Sequence, residues 1–164
     1  MKTSLSDKER VKRIITLLKK EYPRARTTLR FATPMQILVS TILSAQCTDE
    51  RVNNVTVGLF KKYKTPQDFA KANRKTFENE TRSTGFYRNK AKNIINSAKM
   101  IIGRFKGKVP DTMEGLLGLP GVARKTANVV LYNAYGKIEG IVVDTHVRRL
   151  SQRLVFSLQK FINL

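Results

Sequence analysis

Several residue types are scarce in this chain of 164 residues, and each scarcity excludes a class of protein. One cysteine cannot form a disulfide framework within the chain, which favours a reducing compartment. One cysteine and one histidine cannot assemble a zinc site from these two residue types. The apolar runs are far shorter than the ~20 residues of a membrane-spanning helix, and the N-terminus lacks the apolar segment of a signal peptide. We therefore expect a soluble, intracellular protein with no membrane partner.

Acidic residues are also scarce: the chain has 12 Asp and Glu against 32 Lys and Arg, a formal charge of +20. No acid follows Asp144, and none occurs within residues 81–110. The basic residues of that acid-free segment are Arg82, Arg88, Lys90, Lys92, Lys99, Arg104, Lys106 and Lys108. A basic surface of this size favours a polyanion partner, with affinity that falls steeply as salt rises. Charge alone leaves open a generic RNA-binding or ribosome-binding protein.

Helix signals recur along the chain, whose hydrophobic content of 41% can form a core. The predicted helices begin at capping residues or at proline in the first position. These starts are Ser6, Thr33-Pro34, Thr48, Thr65-Pro66, Asp111-Thr112 and Asp144. The run MQILVSTILSAQ after Pro34 predicts a buried central helix. The segment YRNKAKNIINSAKMIIGRF predicts a helix with one apolar face and lysines opposite. Only residues 141–143 have strand character, so we expect an all-α domain.

The stretch LPGVARKTANVV, which begins at Leu119, predicts a hairpin followed by a helix. Gly121 permits a positive φ and a close approach of the backbone to a ligand. The N–H groups at the start of the following helix can then bind an anion such as a DNA phosphate, without reading base sequence. Arg124 and Lys125 lie in the first helical turn, where cations are unfavourable by up to about 1 kcal/mol. This placement suggests a role other than helix stability.

The string LLGLPGVARKTANVV, followed by VDTHV, resembles the helix-hairpin-helix signature of the endonuclease III family of DNA glycosylases. Further similarity lies in ILSAQCTDERVN and STGFYRNKAKNI, so the resemblance runs from about Thr33 to Leu154. It implies an all-α helix-hairpin-helix glycosylase fold, whose helical lobes flank a DNA-binding cleft. We expect one domain over residues 1–164, with a central lobe at 25–135 and the helix-hairpin-helix at 112–135. Residues 1–24 and 136–164 would form an incomplete second lobe.

The resemblance also implies a reaction. It identifies Lys125 as the nucleophile that attacks C1′ of a damaged nucleoside, forms a Schiff base and cuts the strand by β-elimination. It identifies Asp144 as the carboxylate that stabilises positive charge on the sugar and helps to activate the lysine. Asp144 is also well suited to cap the last helix. The partner would be double-stranded DNA with an oxidised pyrimidine or an abasic site, bound by a monomer in the cytoplasm, at the nucleoid in a prokaryote.

Base removal requires the base to leave the duplex, which costs a few kcal/mol and leaves a hole. By resemblance, Gln46 fills that hole and Phe86 wedges the opposite strand, where the family more often has leucine. Ordinary structural roles remain open, as a helix C-cap for Gln46 and as core for Phe86. The remaining residues implied for DNA binding belong to the hairpin and the next helix, and they are Gly121, Ala123, Arg124 and Thr126. The carbonyl oxygens implied for a Na⁺ or K⁺ ion are those of Leu117, Leu119 and Val122.

Two features depart from the family pattern. Ala123 stands where the hairpin usually has glycine, and the phosphate site survives if this residue is already helical. The family continues for about fifty residues beyond this chain and ends in four cysteines that hold an iron–sulfur cluster. The present sequence ends in SLQKFINL without them, so we expect a shortened chain that supplies no cluster ligands. Two alternatives stay open: a catalytically defective DNA-binding remnant, and a mismatch-specific glycosylase.

Overall fold

The structure is a computed structural model that describes residues 6–154. This range contains nine α-helices and no strand. They are α1 (Asp7–Glu21), α2 (Pro34–Leu43), α3 (Asp49–Lys62), α4 (Pro66–Ala70), α5 (Arg74–Thr81), α6 (Tyr87–Phe105), α7 (Met113–Leu117), α8 (Arg124–Tyr135) and α9 (Thr145–Arg153). A 3₁₀ turn, Arg82–Thr84, lies between α5 and α6. The all-α prediction is confirmed, and the strand character of residues 141–143 was misleading because Ile141 and Val143 are exposed in irregular backbone.

Side-chain caps begin most of these helices, as the sequence predicts. Ser6 and Glu9 form the reciprocal capping box of α1, and Pro34 occupies the first position of α2 behind the cap Thr33. Each cap satisfies an N–H group that has no partner within its own helix. Helix α5, which is capped by Asn73, was not predicted from the sequence. Only α6 and α8 lack a side-chain cap within the described residues.

Helix α2 is the centre of the core in the unit Thr27–Val142. It packs against α8 on one side and against α3 and α6 on others. The buried members of α2 are Met35, Ile37, Leu38, Val39, Ser40, Ile42 and Leu43. Each large apolar side chain buried in this way contributes about 1.5–3 kcal/mol relative to its exposed state. The prediction of a buried central helix is confirmed, although the helix ends at Leu43 and leaves Gln46 outside it.

Helix α6 is the longest helix of this unit, and it packs against α4 and α5. Its apolar face is fully or nearly fully buried, as predicted, through Ala91, Ile94, Ile95, Ala98 and Ile101. Beside it the rings of Tyr63, Phe69 and Phe77 form a cluster with centroids 5.3 to 6.1 Å apart. These contacts fix α6 as a rigid support for the loops at its N-terminal end.

A second unit joins Met1–Arg26 to Val143–Leu164, of which residues 6–26 and 143–154 are described. Within it, a guanidinium nitrogen of Arg10 on α1 donates a hydrogen bond to the carbonyl of Leu154 after α9. No residue of α1 is buried, and its apolar side chains Leu17 and Leu18 are exposed. The ends of the predicted second lobe, residues 1–5 and 155–164, lie outside the described residues. The lobe boundaries predicted from sequence therefore stay a prediction.

Candidate nucleic-acid interface and active site

The hairpin between α7 and α8 has the predicted tight turn. The N–H of Val122 donates to the carbonyl of Leu119 at 3.2 Å, and Gly121 has a φ of 77°. A Cβ atom on Gly121 would lie 2.7 Å from the amide nitrogen of Asn93 on α6. Glycine is therefore required twice, for its left-handed backbone and for the close approach of α6. The predicted positive φ is confirmed.

The N-terminus of α8 differs in one respect from the sequence expectation. Ala123 is the N-cap, with φ −93° and ψ 171°, so it is extended and not helical. Its negative φ suits alanine without strain, and the residue keeps its backbone N–H. No side chain caps α8, which leaves its first-turn N–H groups without the side-chain acceptor that most of the described helices have. An uncapped N-terminus behind a glycine hairpin can accept an external anion.

The first turn of α8 is basic and open to solvent. Arg124 and Lys125 are exposed and Thr126 is half-buried. None of the four ion pairs among the described residues involves Arg124 or Lys125. Two cations at a positive helix end do not stabilise the fold. Their position is suited to an external anionic ligand.

Gln46, Phe86 and Gly121, all within one unit, line the same cleft of about 200 Å³. Gln46 follows α2 and has a φ of 52°, while Phe86 precedes α6 and has a φ of 46°. Both side chains are exposed, Phe86 to 67%. Exposure excludes the core role for Phe86, and the C-cap of α2 is Ser44, which excludes that role for Gln46. Left-handed backbones at non-glycine residues cost of order 1–3 kcal/mol and cluster at functional sites.

Lys90 lines the same cleft, but its side chain corrects the prediction that the lysines of α6 lie opposite its apolar face. It precedes Ile94 by four residues, which places it on the buried face, and only 4% of it is exposed. Its ammonium donates to the carbonyls of Leu43 and Thr84, both at 2.7 Å. Burial lowers the pKa of Lys90 below its ordinary value, and nearby Cys47 partly opposes this. Burying an ammonium costs several kcal/mol unless it is well paired.

Lys90 and two other polar residues on this face of α6 were not predicted from the sequence to belong to the site. Ser97 is buried and donates to the carbonyl of Pro120 in the hairpin at 2.8 Å. Asn93 packs against Gly121. The available signal was their helical spacing: residues 90, 93 and 97 share a face with the apolar residues. This face of α6 therefore contacts the segment before Gln46, the segment before Phe86 and the hairpin at Gly121, all of which carry predicted DNA contacts.

Asp144 is the N-cap of α9, and its carboxylate accepts a hydrogen bond from the N–H of Val147 at 2.8 Å. The capping role predicted from sequence is confirmed. Asp144 lies in the unit formed by the chain ends, whereas Lys125 lies in the unit Thr27–Val142. The pairing of these two residues stays a prediction.

The described residues contain no group of three or more His, Cys, Asp or Glu side chains that could hold a metal ion. The single cysteine, Cys47, cannot supply the four thiolates of an iron–sulfur cluster, so no step is assigned to one. The carbonyls of Leu117, Leu119 and Val122 belong to the hairpin region, and that of Leu119 already accepts the N–H of Val122. A monovalent cation at these oxygens stays a prediction.

A larger cavity, of about 600 Å³, lies elsewhere in the unit Thr27–Val142. Its wall includes Pro34, Pro66, Val109 and Tyr135, whose hydroxyl donates to the carbonyl of Val109 at 2.6 Å. None of the predicted site residues lines it.

No helix within residues 6–154 is long and apolar enough to cross a membrane.

Comparison with known proteins agrees with this arrangement. Residues 39–160 match the model of the HhH-GPD superfamily base excision DNA repair protein. Endonuclease III of Synechocystis is 56% identical over 149 residues, which are 91% of this chain and 68% of that protein. Endonuclease III of Bacillus subtilis is 48% identical over 133 residues, 81% of this chain and 60% of that protein. The chain thus spans roughly three fifths to two thirds of the length of these relatives.

A solved structure of a trapped endonuclease III–DNA covalent intermediate is also similar. It has a TM-score of 0.88 and 43% sequence identity, and the alignment covers 93% of this chain and 71% of that one. The family match covers well over half of the chain, and the fold agrees along nearly all of it. The chain therefore belongs to the helix-hairpin-helix (HhH-GPD) superfamily of base excision DNA repair proteins, within which it is homologous to endonuclease III.

Proposed function

We propose that this chain is a bifunctional DNA glycosylase and abasic-site lyase that acts on oxidised pyrimidines in double-stranded DNA. The observation that carries the proposal is Lys125, which is exposed in the first turn of α8 directly after the glycine hairpin and has no ion pair with any residue in the range 6–154. The similarity to a trapped endonuclease III–DNA covalent intermediate supports a covalent step. The cleft lined by the exposed side chains of Gln46 and Phe86 supports base extrusion.

DNA binding begins with the backbone. The hairpin at Gly121 and the uncapped N–H groups at Ala123 and the first turn of α8 bind a phosphate, and Arg124 and Thr126 add contacts to it. The formal charge of +20 supplies a strong, salt-dependent attraction to the duplex. A Na⁺ or K⁺ ion at the carbonyls of Leu117, Leu119 and Val122 would add positive charge beside the same phosphate. These contacts hold the duplex without selecting a base.

Gln46 and Phe86 then stabilise the distorted duplex. Extrusion of the damaged base costs a few kcal/mol, and a side chain that fills the hole offsets part of this cost. Gln46 can also form hydrogen bonds with the unpaired opposite base, because its amide carries both donor and acceptor groups. Phe86 presents an exposed ring that can stack where the family more often has a leucine wedge.

The chemical step uses the amine of Lys125 in its neutral form. Nζ attacks C1′, the bond from C1′ to the base nitrogen breaks, and the departing base takes a proton. The C1′–O4′ bond then breaks, the second amine proton passes to O4′, and an imine forms between Nζ and C1′. Removal of a C2′ proton then expels the 3′ phosphate, and water releases the lysine. Asp144 stabilises the positive charge that develops on the sugar.

Borohydride trapping tests this proposal. Borohydride reduces the imine to a stable amine, so a duplex oligonucleotide with one abasic site becomes covalently attached to the protein. The parent chain and the Lys99→Gln variant should both give the adduct, because Lys99 is an exposed lysine of α6 with no assigned role. Lys125→Gln removes the same charge and should give none. An adduct of parental yield from Lys125→Gln would show that the nucleophile is wrongly assigned.

The same samples separate the remaining alternatives. Salt-sensitive DNA binding by the parent chain without any adduct would indicate a catalytically defective DNA-binding remnant. Removal of a mismatched thymine without strand cleavage would indicate a mismatch-specific glycosylase. A chain that acts as proposed should elute as a monomer and, as a repair enzyme of chromosomal DNA, should be found in the cytoplasm at the nucleoid of a prokaryote.

A further inference from the structure

Lys90 connects the two segments that carry the predicted inserting side chains. Leu43 is the last residue of α2 and lies three positions before Gln46, while Thr84 ends the 3₁₀ turn two positions before Phe86. The ammonium of Lys90 donates to the carbonyl of each, at 2.7 Å in both cases. The side chain of Lys90 therefore joins both segments. In the sequence, Leu43 is 47 residues and Thr84 is 6 residues away from Lys90.

The location of this ammonium is costly for stability alone. Lys90 is almost fully buried, and its hydrogen bonds go to two neutral carbonyls and to no carboxylate. The other seven basic residues of the acid-free segment 81–110 are all exposed. An apolar side chain of similar length would fill the same space without desolvating a charge. The C-terminal carbonyl of α2 partly compensates, because the negative end of a helix dipole attracts a cation.

The segments held by Lys90 are strained where they meet the cleft. Gln46 and Phe86 both have left-handed backbones, which persist only when the surrounding structure enforces them. The backbone bonds of these segments are local: the N–H of Cys47 donates to Ser44, that of Gly85 donates to Arg82, and the carbonyl of Phe86 accepts two N–H groups from the first turn of α6. Lys90 adds a bond between the two segments that neither can make by itself.

We infer that Lys90 is a positioning residue for damage recognition: it holds the loops of Gln46 and Phe86 at a fixed separation so that both side chains enter the duplex together. This inference rests on the proposed function, which supplies the duplex and the extruded base. Lys90 itself touches no reacting atom. It holds the two loops in the inserting conformation before DNA binds. The entropy cost of ordering the loops therefore does not reduce the free energy of DNA binding.

Two measurements on Lys90→Met test this inference, with Lys92→Met as the matched control. Lys92 lies two positions along α6, is exposed and carries the same charge. The first measurement is amide hydrogen exchange at Cys47 and Gly85 in the free protein, compared with amides of the buried face of α6. Loss of the ammonium should speed exchange at both loop amides by about tenfold or more and leave the α6 amides unchanged.

The second measurement is the ratio of affinities for a duplex with a stable abasic analogue and for the intact duplex. We expect this ratio to fall about tenfold or more in Lys90→Met, because the two side chains no longer insert together. Lys92→Met should weaken binding to both duplexes equally, since it removes only a solvent-exposed charge. Trapping of single-stranded abasic DNA at saturating protein concentration, which needs no insertion, should be parental in both variants.

The outcomes are distinguishable. If folded Lys90→Met exchanges like the parent at both loops, or keeps the parental affinity ratio, the inference is wrong. A parent chain without any preference for the abasic duplex contradicts the proposed function, and the exchange data then still decide whether Lys90 holds the loops. If Lys90→Met does not fold, Lys90→Gln keeps one polar donor group and is measured in the same way. The glutamine side chain is one atom shorter than lysine, so its amide cannot reach both carbonyls as the ammonium does, and parental exchange and a parental affinity ratio in that variant would also overturn the inference.

Discussion

Gln46 and Phe86 face the same cleft from two different loops, and each has a left-handed backbone, with φ values of 52° and 46°. They are two of the three non-glycine residues with positive φ among the described residues. The third, Lys106, ends α6 far along the chain. Both predicted insertion points therefore lie on strained backbone, which is common at functional sites.

The strain at Gln46 predicts that two truncations lose the same DNA preference but differ in stability. Gln46→Ala and Gln46→Gly both remove the inserting amide, so both should reduce the preference for abasic over intact duplex. Glycine adopts a positive φ freely, so Gln46→Gly should be about 1 kcal/mol more stable than Gln46→Ala. Chemical denaturation and competitive DNA binding measure the two effects. Equal stability of the two variants would show that residue 46 is not strained.

The hairpin should not tolerate a side chain at Gly121. Gly121→Ala requires a Cβ at a φ of 77° and 2.7 Å from the amide nitrogen of Asn93, so we expect a loss of about 1–3 kcal/mol in stability. DNA binding should also weaken, because the turn presents the N-terminus of α8. Gly103→Ala is the control: it lies within α6 with nothing near its added Cβ, and alanine there should stabilise by up to about 1 kcal/mol.

Asp144 can be tested for its two roles separately. Asparagine is as good an N-cap as aspartate, so Asp144→Asn should keep α9 while it removes the charge that the reaction requires. Single-turnover base removal should slow about 100-fold or more with DNA binding largely kept. Asp144→Ala should in addition lose about 1 kcal/mol of stability with the cap. A parental rate in Asp144→Asn would leave the residue with its capping role alone.

Asp68 makes the free energy of unfolding depend on pH in the acid range. Its carboxylate accepts the N–H groups of Lys64 and Thr65 at 2.9 and 2.8 Å, and these bonds hold its pKa below the ordinary 3.8. A carboxyl pKa that is lowered by folding stabilises the protein above its unfolded-state value, and this contribution is lost as pH falls through the lowered value.

Asp68→Asn should therefore lower the free energy of unfolding near neutral pH, and its difference from the parent should shrink in acid. Denaturant titrations over a pH series measure this difference. Glu139→Gln is the matched control for the loss of one exposed carboxylate, because Glu139 has no hydrogen bond to a described residue. A constant difference at all pH values would show that the charge of Asp68 does not contribute.

The amino-acid sequence determined the helical class, most helix starts and the identity of the hairpin, because these depend on local signals. Caps such as Thr33 and Thr48 act within one helical turn. The hairpin at Gly121 can be predicted because a tight turn with a positive φ favours glycine. The family motif identified Gln46, Phe86, Lys125 and Asp144 as candidates. These signals carry no information on distances between segments that are remote in the chain.

Tertiary structure decided which polar side chains are buried and which segments the loops contact. Lys90 looked like one more solvated lysine, and only packing against the ends of α2 and the 3₁₀ turn shows that its ammonium is buried between two carbonyls. The clash that makes Gly121 irreplaceable comes from Asn93, 28 positions earlier in the sequence. Such contacts join segments that meet only after the core has formed, because hydrogen bonds and steric exclusion act over a few ångströms of space and not along the chain.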